Sequence, residues 1–134
     1  MPVTGKGSSY AQVPRKHWPK ALWPPVLWFA LIWILSSLPG QSLPAPKILS
    51  LDKVAHIGVY FLLGLLTNRA VRLLKADDKK VWAIYLIILA TAGLDELHQY
   101  LIPQRSVSIW DFAANALGLA LAFGLFWIQR DRGI

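Results

Sequence analysis

Four apolar stretches, each close to the length that crosses a bilayer, leave this chain few folds to choose from. They run from about Ala21 to Leu38, Asp52 to Leu74, Val81 to Ile102 and Val107 to Ile128. A hydrocarbon core of about 30 Å takes about 20 helical residues to span. In lipid every backbone polar group has to be satisfied within the protein, and a helix does this by itself. The expected fold is therefore all-α, an integral membrane bundle of four transmembrane helices over residues 21–128, with a basic tail at 1–20 and a short tail at 129–134. Composition agrees, because 55% hydrophobic residues in a chain of 134 is more apolar material than a small soluble domain could bury. Trp18, Trp23, Trp82, Trp110 and Trp127 lie near the ends of the apolar runs, and indole rings favour the lipid–water boundary.

The connections are short and polar. PGQSLPAPK is rich in proline, KADDKK is charged, and PQRS makes a tight turn. Orientation follows from Lys and Arg. Lys6, Arg15, Lys16, Lys20, Arg69, Arg72, Lys75, Lys79, Lys80, Arg130 and Arg132 fall on one side, and only Lys47, Lys53 and Arg105 on the other. Both termini are expected to be cytoplasmic. The formal charge of +7 thus reads as a topological signal, not as a nucleic-acid footprint. A cleaved leader competes for the first segment, but Pro39 and Gly40 suit cleavage poorly and a retained helix is expected. Pro24 and Pro25 suit its first turn. With no Cys, disulfides and thiolate chemistry are excluded.

Charged and polar residues interrupt the apolar runs at one level. Asp95, Glu96, His98 and Gln99 follow fourteen residues without a charge. At about 1.5 Å of rise per residue, Glu96 lies about 9 Å from Ile102, His56 about 6 Å from Asp52, and Asp111 and Asn115 about 6 and 12 Å from Val107. Three helices deliver polar side chains to one slab near the outer surface, while their inner halves are almost purely apolar. Asp52, His56 and Tyr60 are successive i+4 steps, as are Asp111 and Asn115, so each set shares a face. Asp95 and Glu96 are about 100° apart, which lets one face the bundle and the other water. Ala114, Gly118 and Ala122, with Gly58 and Gly64, suit close helix packing.

The pocket so assembled contains Asp52, His56, Glu96, Gln99, Arg105, Asp111 and Asn115, and its chemistry stays open. Arg105 could hold a lipid phosphate. The carboxylates with His56 and Asn115 could hold a divalent cation, Mg²⁺ or Ca²⁺. A desolvated Glu96, or His56, could act as general base on water. The structural alternative is an ion-pair network of Asp95, Glu96, Asp111 and Arg105 that fastens the helix ends, with Asp52 as a cap and Lys53 as an interface anchor. The sequence has no nucleophile elbow, zinc-ligand spacing or phosphate loop.

In order, SSLP, DKVAHIGVYFLLG and DELHQYLIPQRSVSIWDFAANALG resemble the VanZ-like membrane proteins, over roughly Ala21 to Ile128. The resemblance falls on Asp52, Lys53, His56 and Tyr60, on Glu96, Gln99 and Arg105, and on Asp111, Asn115 and Gly118. Asp95 and His98 sit where the family varies and rank below Glu96 and Gln99. The PQR turn departs from a PGR-like turn at Gln104. The resemblance implies action at the outer membrane face, since the founding member is associated with low-level resistance to the glycopeptide teicoplanin. It implies no established reaction.

Three functions are compatible with these residues. The first is binding of an anionic lipid or lipid-linked cell-wall precursor at an outward pocket. The second is a membrane hydrolase or transferase acting on a lipid phosphate or headgroup, with His56 or Glu96 as base. The third is a small ion-coupled transporter subunit using Glu96 and Asp111, which the apolar inner halves disfavour.

Overall fold

The computed structural model describes residues 18–39 and 49–133. Their elements are four α-helices, α1 (Trp18–Ser36), α2 (Leu49–Leu73), α3 (Asp78–Gln99) and α4 (Ile109–Asp131). The fold is all-α, and all four helices are long and apolar enough to cross a membrane. The basic residues Lys6, Arg15 and Lys16, and Lys47 with most of the proline-rich connection, lie outside the described residues.

The helix ends differ from expectation in ways that local chemistry explains. α1 starts at Trp18, so Pro24 and Pro25 fall in its second turn and not its first. There they remove the N–H groups that would bond the carbonyls of Lys20 and Ala21. α2 ends with Lys75 at φ 49°, while Ala76 N–H bonds Val71 O at 2.9 Å and Lys75 N–H bonds Arg72 O at 3.0 Å, the closing pattern usually built around glycine. Asp77 caps α3 by accepting from Lys80 N–H at 2.9 Å, and the Lys80 ammonium returns to the same carboxylate at 2.8 Å. Lys80 thereby holds the Asp77 carboxyl below the usual carboxylate range, and the cap stays charged at neutral pH. α3 stops at Gln99, short of the expected Ile102, because Pro103 disfavours a helical residue before it. α4 starts at Ile109, behind the Ser108 hydroxyl, which accepts from Trp110 N–H at 3.2 Å.

α2 and α4 form the central pair and run parallel, since Lys53 meets Asp111 near one end and Arg72 donates to Gln129 at 2.6 Å near the other. Asp111, Ala114, Asn115, Gly118, Leu119, Ala122 and Phe126 form the buried stripe of α4, with the i, i+3, i+4 spacing of one helix face. A Cβ on Gly118 would collide with the Ile57 carbonyl of α2, and one on Gly64 with Ala122, so both glycines permit the close approach expected of them. Gly58 does not, because a side chain there would meet open space. α1 packs against α2, α3 packs against α4, and α1 meets α3.

The halves of the helices away from Asp52 and Asp111 are not purely apolar as expected. Buried Asn68 donates to Ala122 O at 2.8 Å. Tyr85 Oη donates to Asn68 Oδ1 at 2.6 Å and lies 3.1 Å from Gly64 O. Each polar group satisfies another, which is the condition for burial in lipid, and such bonds average about 0.6 kcal/mol within membranes.

Candidate functional site

The polar slab lies where the C-terminal ends of α1 and α3 meet the N-terminal ends of α2 and α4, and three hydrogen-bonded groups make it up. In the first, Lys53 Nζ bridges Asp52, at 3.2 Å, and Asp111. Lys53 is thus an internal cation joining α2 to α4, and not only the interface anchor its position at a helix start implies. Charge-assisted bonds of this kind are roughly twice as strong as neutral ones.

In the second group His56 Nδ1 lies 2.9 Å from Asn115 Oδ1, and the Asn115 amide donates to Glu96 Oε1 at 3.0 Å. The geometry fixes the proton positions. Glu96 as a carboxylate only accepts, so Asn115 turns its NH₂ to it and its carbonyl oxygen to His56. Nδ1 therefore carries a hydrogen, and Nε2 lies 3.8 Å from Asp52 Oδ1. Asn115 is fully buried and Glu96 nearly so.

In the third group Asp95 accepts from the Ser36 hydroxyl of α1 at 2.5 Å and from Gln99 Nε2 at 3.3 Å. Asp95 was expected to yield to Glu96, with one of the two facing water. Both are buried instead. α3 lies between α1 and α4, so Asp95 points to Ser36 on one side and Glu96 to Asn115 on the other. His98 stacks on Trp33 of α1, with ring centroids 5.5 Å apart, and lies 3.2 Å from Ser37 Oγ.

Arg105 is placed differently from the expected ion-pair network. Its Nε donates to Leu38 O at 3.1 Å and its NH2 to Leu35 O at 2.8 Å. It caps the C-terminus of α1, where carbonyls lack helical partners and the dipole favours a cation. Among the described residues its guanidinium makes no ion pair with a carboxylate; the ion pairs of the slab belong to Lys53.

These groups border a cavity of about 570 Å³ between α1 and α2. One wall is apolar, with Trp28, Leu31 and Leu35 of α1 and Leu51 and Val59 of α2. The other is polar, with Asp52, His56, Asp95, Gln99, Gln104, Arg105, Ser106 and Asp111. Tyr60 also lines it. Tyr60 is 2% exposed, and its hydroxyl and Glu96 Oε2 are buried with no hydrogen-bond partner among the described residues. Glu96, Asn115 and Lys53 stand behind the lining and hold it in place.

As for a metal, Asp52, His56 and Asp111 bring one ligand atom each to within 4.8 Å of one another. The Lys53 ammonium already bonds both carboxylates. A Mg²⁺ or Ca²⁺ ion would have to displace it, and would take the rest of its ligands from water.

Most of the chain, residues 8–130, matches the family model described as VanZ/LLP1. The chain belongs to this family. Among the curated proteins and among the solved structures nothing matches it. It is thus a multi-pass membrane protein of the VanZ/LLP1 family, with four candidate spans. The site is read from its own geometry. The sequence did not single out Ser36 beyond the SSLP stretch, nor Trp28 and Gln104 as cavity wall. Ser36 carried a usable signal, since a hydroxyl near the end of an otherwise apolar α1 sits level with Asp95.

Proposed function

We propose that this VanZ-family protein holds a cell-envelope lipid or lipid-linked precursor in the cavity, at the outer face of the cytoplasmic membrane. One observation carries the reading: the cavity is lined both by apolar side chains of α1 and α2 and by polar ones of α2, α3, α4 and the turn before α4. Acyl chain fits the first and headgroup the second. Leu31, Leu35 and Leu51 are exposed at its edge, which gives a lipid a route from the bilayer between α1 and α2. A lipid phosphate is held at Arg105, whose guanidinium has donors beyond the two spent on α1.

The outward orientation rests on charge. Among the described residues, Lys53 and Arg105 lie at the cavity end, against Lys20, Arg69, Arg72, Lys75, Lys79, Lys80, Arg130 and Arg132 at the other. Cysteine placed singly at Ser106 should react with an impermeant thiol reagent in intact cells, and at Lys79 should not. The reverse pattern puts the cavity in the cytoplasm.

Lipid extracted from the purified protein and identified by mass spectrometry tests the binding. Wild type should carry one enriched envelope lipid, and Arg105→Ala should lose it; equal bulk lipid in both would sink the proposal. Through such a ligand, expression should shift teicoplanin susceptibility, and Arg105→Ala should cancel the shift.

A second reading is a hydrolase or transferase on a lipid phosphate or headgroup. The bond series Glu96–Asn115–His56 favours it, because it orients an imidazole in the cavity wall. Turnover of any envelope lipid, abolished by Glu96→Gln or His56→Gln with binding retained, decides for it.

A further inference from the structure

We infer that the headgroup held in the cavity carries a primary ammonium, seated against Asp95 and Tyr60 with its phosphate at Arg105. The inference rests on the lipid-binding reading and names the ligand class. Three buried carboxylates, Asp95, Glu96 and Asp111, and the partly exposed Asp52 gather at this end of the bundle with Lys53, Arg105 and the imidazoles of His56 and His98. Lys53 donates to Asp52 and Asp111, and to neither Asp95 nor Glu96. Arg105 is tied to two carbonyls of α1. Charge of one sign, withdrawn from water, has to be met by a counter-charge or by protons.

The hydrogen-bonding inventory asks for a donor. Each Asp95 oxygen accepts a single bond, from Ser36 or Gln99, and keeps a further lone pair. Tyr60, in the cavity wall and almost wholly buried, has a hydroxyl with no partner among the described residues. His56 lines the same space. An ammonium supplies three donors and a positive charge, whereas a second phosphate or a sugar carboxylate would add charge of the wrong sign. Lys53 on Asp52 and Asp111 is the same interaction made within the chain.

The test uses the full-length protein, delipidated in neutral detergent and titrated by native mass spectrometry with three lipids of one acyl composition. These are phosphatidylethanolamine, its N-acetyl derivative and phosphatidylglycerol. Phosphatidylethanolamine should bind about ten-fold more tightly than either of the others, the scale of one charge-assisted contact. Asp95→Asn should erase that preference, and Tyr60→Phe, which removes one hydroxyl and keeps the packing, should reduce it several-fold. Arg105→Gln should weaken all three lipids alike. Binding without an amine preference overturns the ammonium and leaves the lipid reading standing, as does retention that needs Mg²⁺ and ignores the amine. Failure of every lipid to bind overturns both.

Discussion

Asn115 of α4 stands between His56 and Glu96, and because its amide must face the carboxylate its carbonyl dictates which nitrogen of His56 bears the proton. One buried amide thus joins α2, α3 and α4 and sets the chemistry of the imidazole at the cavity wall. Asn115→Leu removes both bonds and leaves Glu96 buried without a partner on either oxygen. The expected loss is about 1–3 kcal/mol of stability, read as a lower melting temperature in detergent. The ¹⁵N spectrum of His56 should show the Nδ1–H form in wild type and a mixture of tautomers in the variant.

The ammonium of Lys53 is the link between Asp52 and Asp111, so its loss exposes a partly exposed and a buried carboxylate to each other. Lys53→Met should destabilise the protein by about 3 kcal/mol, the lower end of the range for breaking a buried pair, because these side chains keep some contact with solvent. A double-mutant cycle with Asp111→Asn should return part of that loss. Additive effects would show that the two side chains do not interact.

Gln104 has φ 61°, a left-handed backbone that costs a residue with a Cβ about 1–2 kcal/mol. It occupies the middle of the PQR turn, where a PGR-like turn would supply glycine. Gln104→Gly should therefore raise the stability by about 0.5–1 kcal/mol, the strain relieved less the extra freedom of the unfolded glycine. A fall in melting temperature would show that the Gln104 side chain, which lines the cavity, contributes more than its backbone costs.

The four spans were legible because lipid imposes length and apolarity on each one separately. The convergence of His56, Asp111 and Asn115 with Glu96 was legible too, since rise per residue converts sequence position into depth. What the sequence left open is direction around the helix axis. Asp95 and Glu96 are both interior only because α3 has neighbours on both sides, α1 through Ser36 and α4 through Asn115, and no periodicity within α3 reveals two neighbours. Arg105 eluded the expected ion pairs because its partners are the backbone carbonyls of Leu35 and Leu38, which carry no residue-specific signal. Lys53 has a long, flexible side chain whose reach to Asp111 depends on how closely α2 and α4 approach, and that closeness is set by Gly118 and Gly64.

The claim that the cavity is a lipid site is tested most directly by filling it. Ala55 lies in its wall, whereas Ala90 is exposed on α3 and is not among the lining residues. Native mass spectrometry of protein extracted in mild detergent should show a lipid adduct on wild type and on Ala90→Trp. The adduct should be absent from Ala55→Trp. An adduct retained equally by all three proteins would contradict lipid binding in the cavity.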